Sequence, residues 1–390
     1  MLRSIALSVY RLVAVGALAT LAFSPSAHAA IKDFRIYQQY QSVRAMGMGN
    51  AFTAVSDDYA TLFYNPAGLA RLEEGQMNLS LGGYADTKFP DFYKDLSNAT
   101  SGSDPQKIAD VLAKNYGHYY NARLSLLQAV WVRPQWGIAV LPIDLNMDMS
   151  IHQAGGASLD LIAHQDTTLA YGRGWDVHWL GNDQRLSLGV TGKVIYRGYF
   201  NKALLASDLA LDSNILSGKD GNEGMTADLD VGALWTPTIS ASSWWRFAKP
   251  SVGVVARNIG DYGYIGNFHL IDPSSGKPDK LGRRFDVGSK IDLPDWWVWR
   301  TRVAADVRDI GHENFTFGKG LHLGAEFLWK VKSWWQGGWR VGLNQGYFTA
   351  GFSGTLGIFT LDLVTYADEV GPSDAPKAVR NYGFRASLDF

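Results

Sequence analysis

The last nine residues of the chain, Tyr382-Gly-Phe-Arg-Ala-Ser-Leu-Asp-Phe390, alternate between apolar and polar positions. Side chains point to opposite faces of a β-strand with a period of two, so a strand here has one apolar face and one polar face. The apolar face holds Tyr382, Phe384, Ala386, Leu388 and Phe390. A wall with lipid outside and water inside, as in a transmembrane β-barrel, requires this pattern. A soluble sandwich edge can alternate in the same way, so the other segments have to decide.

The same alternation recurs along most of the chain. In one example, Leu321, Leu323 and Ala325 alternate with His322 and Glu326. The segments run about 9–12 residues, enough for a tilted strand to cross a bilayer and more than a sandwich strand usually has. We therefore predict an all-β fold, a transmembrane antiparallel barrel of about 14 strands. The strands are predicted near residues 76–85, 123–133, 135–143, 164–173, 185–198, 225–236, 250–258, 283–292, 298–308, 320–330, 337–345, 347–354, 356–366 and 380–390.

The N-terminus has the features of a secretory signal peptide. Arg3 and Arg11 precede or begin the apolar run 12–23, which is followed by the small-x-small sequence Ala27-His-Ala29. The apolar run is too short for a membrane anchor. We expect residues 1–29 to be a signal peptide, residues 30–75 to form a separate N-terminal unit, and residues 76–390 to form the barrel. Export to the bacterial outer membrane follows from these predictions, with outer-membrane lipid as a partner.

Composition and motifs exclude several classes of function. The net charge is -1, so charge does not indicate nucleic-acid binding, and the chain has no cysteine for thiolate metal sites. The sequence contains no P-loop, no G-x-S-x-G and no H-E-x-x-H motif. Asp57-Asp58 could bind a cation, but adjacent acids before a turn more often cap or face solvent. We predict no enzymatic activity, no cofactor, no metal and no nucleic-acid partner.

The tryptophans test the strand count. The chain has 14 Trp, and clusters at 244–245, 296–299 and 334–335 follow predicted strands six, eight and ten. Indole rings favour the headgroup layer of a membrane, so three clusters on one rim support the count. Long polar links follow the odd strands, near 86–122, 199–224, 259–282, 309–319 and 367–379. With both chain ends taken as periplasmic, these links are predicted to lie at the outer surface.

Two of the long links are predicted to contain helix. Asp104-Pro105 matches an N-cap followed by the first helical residue, before Ile108, Val111 and Leu112 at helical spacing. The stretch 202–216 is unusually apolar for a surface loop. It either packs on the barrel mouth or forms an exposed patch that collects hydrophobic ligand. The candidate ligand-binding residues are Leu204, Leu205, Leu209, Leu211, Ile215 and Leu216.

Residues 31–75 do not alternate, and a wide barrel can hold such a segment in its lumen. Arg44-Ala-Met-Gly-Met-Gly-Asn-Ala-Phe52 is followed by Asp57-Asp58 and by the predicted tight turn Asn65-Pro-Ala-Gly68. The stretch 44–72 resembles the N-terminal signature of FadL-type outer-membrane transport proteins, a superfamily that includes long-chain fatty-acid transporters, PorV-type barrels of a secretion system and TraF-like conjugation proteins. The stretch 340–351 with Leu361-Asp362 and Tyr366 resembles the closing hairpins of the same group.

The resemblance implies a fourteen-stranded barrel with an N-terminal hatch in the lumen. In the fatty-acid branch, a hydrophobic substrate is captured at the outer face, and the hatch shifts to let it pass without nucleotide. The residues carried over as the hatch are Arg44, Gly47, Gly49, Asp57, Asp58, Asn65, Pro66 and Gly68. The alternative is a platform or accessory barrel of a secretion or conjugation system. A transporter should have an apolar groove from 202–216 to the hatch; a platform should have polar loops and a closed lumen.

Two further predictions concern the barrel wall. Charges that face lipid would cost several kcal/mol, so the charged residues of the strands should face inward and pair across the lumen. The cations are Lys193, Arg197, Arg302, Arg308, Arg340 and Arg385, and the anions are Asp228, Asp230, Asp286, Asp306, Glu326 and Asp362. Phe384, Leu388 and Phe390 are the candidate insertion signal for the barrel-assembly machinery, and replacing Phe390 with a charged residue should impair insertion.

Overall fold

The computed structural model describes residues 33–153, 156–177, 184–211, 221–237, 248–265, 270 and 275–390. The predicted signal peptide, the candidate ligand residues Ile215 and Leu216, and the Trp cluster at 244–245 lie outside these residues.

Within the described residues, fourteen antiparallel strands form a closed barrel in which each strand pairs with its neighbours in the sequence and β1 pairs with β14. The predicted fold class and strand count are confirmed. The strands are β1 (Gln76–Asp86), β2 (Tyr119–Arg133), β3 (Trp136–Gln153), β4 (Ala157–Val177), β5 (Gln184–Leu205), β6 (Asn222–Pro237), β7 (Ser251–Arg257), β8 (Arg284–Asp292), β9 (Trp299–Ile310), β10 (Leu321–Lys332), β11 (Trp335–Asn344), β12 (Tyr347–Leu356), β13 (Phe359–Glu369) and β14 (Ala378–Asp389).

Short helices precede the barrel and occupy its links. They are α1 (Val43–Gly47), α2 (Thr61–Tyr64), a 3₁₀ helix (Pro66–Arg71), α3 (Phe89–Ser101), α4 (Pro105–Ala113), α5 (Ala206–Leu211) and α6 (Phe317–Gly320). The predicted start of α4 is confirmed, because the Asp104 side chain accepts a hydrogen bond from Gln106 N as its N-cap. No helix in the described part of the chain is long and apolar enough to span a membrane.

The final strand has the two faces that its sequence predicts. Tyr382 and Phe384 are about half exposed on the outside of the barrel, at 50% and 47%, whereas Arg385 and Ser387 are buried toward the lumen. Leu388 pairs with Leu79, and Phe390 exchanges two backbone hydrogen bonds of 2.9 Å with Met77. The C-terminal strand therefore closes the wall against β1.

Three strands are longer than predicted by eight residues or more. β3, β4 and β5 contain 18, 21 and 22 residues, so they extend well beyond the length that a bilayer requires. The predicted link 199–224 is correspondingly wrong at its ends, because β5 continues to Leu205 and β6 begins at Asn222. The reason is packing outside the membrane: helices α3, α4 and α5 cover the outer face of the extended strands.

The three helices and the strand residues beneath them form one apolar cluster. Phe92 and Leu96 of α3 and Ile108 and Leu112 of α4 are buried in it, together with Leu209 of α5. The wall residues beneath them share the outward face of their strands: Tyr120, Met149, Ile151, Leu159, Leu161, Ala163, Phe200 and Leu204. The helices remove from water a surface that lipid covers lower on the barrel.

The two ends of the barrel differ in composition. We call the end with the links after even strands the inner rim, and the other end the outer rim. Trp296 and Trp297 lie in the link after β8, and Trp334 and Trp335 at the turn after β10, all on the inner rim and about half exposed or more. For the two Trp clusters that the structure describes, the predicted placement on one rim is confirmed.

Candidate functional site

The lumen is occupied by residues 33–75, which we call the N-terminal segment. It begins at the outer rim, where Asn314 Nδ2 donates to Asp33 O over 2.9 Å and Lys319 Nζ donates to Phe34 O over 2.7 Å. It ends near the inner rim, where the Arg71 guanidinium donates to Ser187 Oγ over 2.9 Å. Residue 33 therefore lies at the rim opposite Phe390, so the assumption that the described chain starts and ends on the same side is wrong.

Inward-facing glycines let this segment approach the wall backbone. A Cβ on Gly189 would lie 2.2 Å from Pro66 C, and a Cβ on Gly324 would lie 2.2 Å from Met48 O. Such distances are closer than van der Waals contact, so only glycine fits at these positions. The same holds where Gly232 meets Asn65 and where Gly342 meets Gly49 N at 2.5 Å. These contacts come from strands β5, β6, β10 and β11, and they surround the segment rather than holding it from one side.

A charged cluster joins the segment to the wall at mid-height. Arg44 Nε and Nη2 both donate to the Glu326 carboxylate over 2.7 Å, and its Nη1 donates to Asp57 and Asp58 over 2.8 and 2.9 Å. Arg340 Nε donates to Glu326 as well, over 2.7 Å, and Arg302 Nη1 donates to Asp57 over 2.6 Å. Glu326 is fully buried, so three guanidinium groups surround one desolvated carboxylate.

The pKa values of Asp57 and Asp58 shift in opposite directions in this cluster. Burial alone would raise the pKa of Asp57, but Arg302 and Arg44 outweigh burial and hold it below the usual 3.8. Burial raises the pKa of Asp58 by more than Arg44 lowers it. Nearer the outer rim, burial and the charge of Asp148 raise the pKa of Asp33 to about 6. Asp57-Asp58 thus binds guanidinium groups, and the described residues contain no group of three or more His, Asp or Glu arranged for a metal.

The sequence Asn65-Pro-Ala-Gly68 forms the predicted turn and packs against the wall. Asn65 Oδ1 accepts from Ala67 N as the N-cap of the 3₁₀ helix, while its Nδ2 donates to Thr53 O and Ala233 O over 2.9 and 3.2 Å. A Cβ on Gly68 would lie 2.0 Å from Thr61 Oγ1. Gly49 has a φ of +62°, a conformation that glycine adopts readily.

Much of the predicted charge pairing is present. Lys193 pairs with Asp230 at 2.8 Å, Arg308 with Asp286 at 3.5 Å and Arg385 with Asp362 at 3.2 Å. Asp306 instead accepts hydrogen bonds from the backbone amides of Phe52 and Thr53, at 2.8 and 2.7 Å. Its role depends on the N-terminal segment.

Sequence reasoning missed several pairs near the outer rim. Arg123 pairs with Asp144 at 2.6 Å, and Arg197 pairs with Asp166 at 2.6 Å. Arg35 of the N-terminal segment pairs with Asp148, which lies on the extension of β3. The missed signal was the alternation of Asn146 and Asp148 with Met147 and Met149, which continues β3 past its predicted end.

One part of the lumen wall is apolar. On strands β2, β3 and β4, five inward positions are buried against the N-terminal segment: Val130, Val132, Ala139, Leu141 and Ala170. Their partners from the segment include Leu62, Phe63 and Leu69. We call these five wall positions the apolar strip. It contrasts with the charged inner face of strands β8 to β11.

The candidate ligand residues fall into two groups. Leu204 and Leu209 are 4% and 1% exposed, because they pack under α3 and α4 on the outer face of the wall. Leu205 and Leu211 are exposed, at 38% and 87%. The four described leucines therefore do not line one groove, and a ligand-binding role for this stretch stays a prediction. The placement of Leu204 and Leu209 agrees with the alternative prediction for residues 202–216, in which this stretch packs on the barrel mouth.

Neither a family model nor a curated protein matches the chain. Similar solved structures include the toluene transporter TbuX of Ralstonia pickettii, with 10% identity over 89% of this chain and 97% of that chain and a TM-score of 0.44. A FadL homologue of Pseudomonas aeruginosa has 9% identity over 92% of this chain and 99% of that chain, with a TM-score of 0.43. CdiB of Escherichia coli has 12% identity over 81% of this chain, which spans only 63% of CdiB, with a TM-score of 0.35.

The matched structures thus include members of the FadL group that residues 44–72 resemble. The barrel architecture itself rests on the strand pairing described above.

Proposed function

We propose that this chain is a passive channel of the bacterial outer membrane for hydrophobic small molecules such as long-chain fatty acids. In this proposal the N-terminal segment is a hatch that blocks the lumen at rest and moves to let the molecule pass. The apolar strip on β2 to β4 carries the proposal, because a displaced segment would leave an apolar surface inside a lumen whose wall on β8 to β11 is charged.

The way in which the segment is attached supports movement. It belongs to no strand of the sheet and continues into β1 through residues 73–75, which are exposed. Side-chain ion pairs and close glycine contacts hold it elsewhere, and these can be exchanged without breaking the hydrogen bonds of the barrel. A fourteen-stranded barrel is wide enough to hold a separate segment in its lumen, unlike an eight-stranded barrel, whose interior is about filled by side chains.

The entry side has apolar residues that a hydrophobic molecule could meet first. Leu205 faces the lumen side of the extended β5, and Leu211 ends α5 with most of its surface exposed. Capture of the ligand at 202–211 is part of the proposal. Nothing in this scheme requires a cofactor or a catalytic residue.

A reducible disulfide between the N-terminal segment and the wall tests the proposal directly, and we call the cross-linked protein the locked variant. A Cβ on Gly232 would lie 3.1 Å from Asn65 Cγ, the position that Sγ of a cysteine at residue 65 would take. The double variant Asn65→Cys/Gly232→Cys therefore places the two residues at disulfide distance, since each Cβ of a disulfide lies about 3 Å from the far sulfur. The chain has no cysteine of its own, so no other disulfide can compete.

With the disulfide formed, we expect uptake of labelled long-chain fatty acid and of labelled toluene to fall to the level of cells that lack the protein. Reduction should restore uptake in the same cells. The single variant Asn65→Cys is the control and should transport with or without reductant. Unchanged uptake by a barrel whose cross-link is verified by mass spectrometry would refute the moving hatch.

The second candidate function is a platform for a secretion or conjugation apparatus. The observation in its favour is that Leu204 and Leu209 are buried under the helices on the outer face of the wall and so do not face the lumen. The locked variant separates the two candidates, because a platform needs no movement of the segment. A locked barrel that still co-purifies with secretion components would support the platform, whereas a barrel that always purifies alone would count against it.

A further inference from the structure

A cavity of about 30 Å³ lies between the N-terminal segment and the wall, large enough for an ion the size of a water molecule or slightly larger. Four cationic side chains line it: Lys193, Arg257, Arg284 and Arg308. Asp230 is the carboxylate that lines it, and Gln38 and Gln39 contribute amides on the segment side, of which Gln38 Nε2 already donates to Asp309. The lining is therefore rich in hydrogen-bond donors.

Most of these donors already have protein acceptors. Lys193 Nζ donates to Asp230, Asn258 and Gln39 Oε1 over 2.8, 3.0 and 3.1 Å, which uses all three of its protons. Arg257 and Arg308 both reach Asp286 and also donate to carbonyl oxygens of the N-terminal segment. These contacts fix the geometry of the cavity before anything enters it.

Two donors have no acceptor among the residues that the structure describes. They are Arg284 Nε and Gln39 Nε2, and both belong to side chains that line the cavity. Arg284 is 93% buried, and its Nη1 is held by Tyr37 O and Asp309 over 3.0 and 3.1 Å. The bond from Lys193 fixes the amide of Gln39, so its Nε2 is the end left over. A buried donor without an acceptor is destabilising, because it has lost its hydrogen bond to water and gained none in return.

The charges around the cavity, like its unpartnered donors, favour a negatively charged occupant. Three carboxylates, Asp230, Asp286 and Asp309, pair with the four cations of the lining. Asp306 is the next carboxylate and is turned to the backbone amides of Phe52 and Thr53. The lining therefore holds one more cation than the carboxylates that pair with it. An uncompensated charge at this depth is costly, because little water is present to solvate it.

We propose that this cavity binds a small monovalent anion of halide size, with Arg284 Nε and Gln39 Nε2 as its donors. A water molecule accepts hydrogen bonds too, but it brings two protons that need acceptors, and both unpartnered lining atoms are donors. A halide brings no proton and neutralises the extra cation. The bound ion joins residue 39 of the N-terminal segment to Arg284 of β8, so it stabilises the position of the segment whatever the channel carries.

The first test uses the purified full-length protein in detergent. Crystals grown in sodium bromide should show an anomalous peak between Gln39 and Arg284. At constant ionic strength, the unfolding midpoint should rise with chloride or bromide over gluconate and should saturate, because a ligand of the folded state stabilises it by mass action. A bromide-free cavity that contains only water would overturn the proposal, and so would a midpoint that does not depend on the anion.

Gln39→Glu tests the assignment with an isosteric change. The new carboxylate should take the place of the anion between Lys193 and Arg284 and should weaken halide binding by about 100-fold or more, since like charges at contact repel strongly in a buried site. The control Gln106→Glu adds the same charge on α4, far from the cavity, and should leave halide binding unchanged. Full halide binding by Gln39→Glu would refute the site. If that variant does not fold, the bromide crystals of the natural sequence still decide.

Discussion

The outward face and the inward face of a strand in this protein place different requirements on their residues. On β10 and β11, Phe327 and Val341 face outward and are 38% and 42% exposed, whereas Glu326 and Arg340 face inward and are buried. Each outward residue needs only to be apolar, because lipid is a uniform solvent. Each inward residue needs a particular partner at a particular distance, because the low-dielectric lumen penalises any charge that is left alone.

This difference predicts how substitutions should rank. An inward change breaks named contacts that nothing else can replace. An outward change between apolar residues exchanges one hydrocarbon contact for another. The following variants test that ranking, from the largest expected effect to the smallest.

Glu326→Ala should have the largest effect. It leaves Arg44, Arg302 and Arg340 without their shared buried carboxylate, and removal of one partner of a buried ion pair costs about 3–5 kcal/mol. Urea unfolding in detergent, followed by tryptophan fluorescence, should show this loss in the free energy of unfolding. The control Asp295→Ala breaks the exposed pair with Arg300 and should change it by about 1 kcal/mol or less. Equal effects of the two variants would contradict the ranking.

Val341→Arg should come next. It places a charge on the lipid-facing side of β11, midway along the strand, where a cation costs about 2–4 kcal/mol. Val341→Ile keeps the face apolar and should be nearly neutral. The measurement is reversible folding into lipid vesicles. A tolerated arginine would mean that this face does not meet the hydrocarbon of the membrane.

Asp57→Asn should have the smallest effect of the three. The side chain is 33% exposed and Arg302 keeps Asp292 at 3.1 Å, so we expect a loss of about 1–2 kcal/mol at pH 7. The pKa of Asp57 is lower in the folded protein than its usual 3.8, so its contribution is present above pH 3.8 and is lost as the pH falls below that value. In unfolding curves measured from pH 7 to pH 3, the gap between Asp57→Asn and the natural sequence should therefore be constant down to about pH 4 and begin to narrow below it. A gap that stays constant down to pH 3 would contradict the ion pair.

The comparison also explains which strands could be predicted. In β8 to β14 the outer face meets lipid along most of the strand, so alternation alone located them within a few residues. In β3 to β5 the alternation continues past the membrane, where Met149 and Leu161 meet helices α3 and α4 instead of lipid. Because the predicted strand length was limited to the bilayer thickness, the prediction missed the outer ends of these three strands.

The candidate site likewise has contacts that the sequence predicted and contacts that it could not predict. The sequence indicated that Lys193, Arg308 and Arg385 would face inward and pair with carboxylates. It could not indicate that Asp306 would bind the amides of residues 52 and 53, because that contact joins segments about 250 residues apart in the chain. Nor could it indicate which glycines the N-terminal segment requires, since a glycine in a strand looks the same whether or not another backbone lies against it.

The sequence by itself determined the barrel: period-two alternation over fourteen segments has one low-energy arrangement when one side meets lipid and the other water. Tertiary structure decided what fills the lumen, where the helices pack, and which charges remain available to an incoming ion. Those outcomes depend on distances between residues that are remote in the chain, and a local pattern does not contain them. The cavity that we propose for a halide and the burial of the apolar strip are two such outcomes, and both depend on the N-terminal segment lying against the wall.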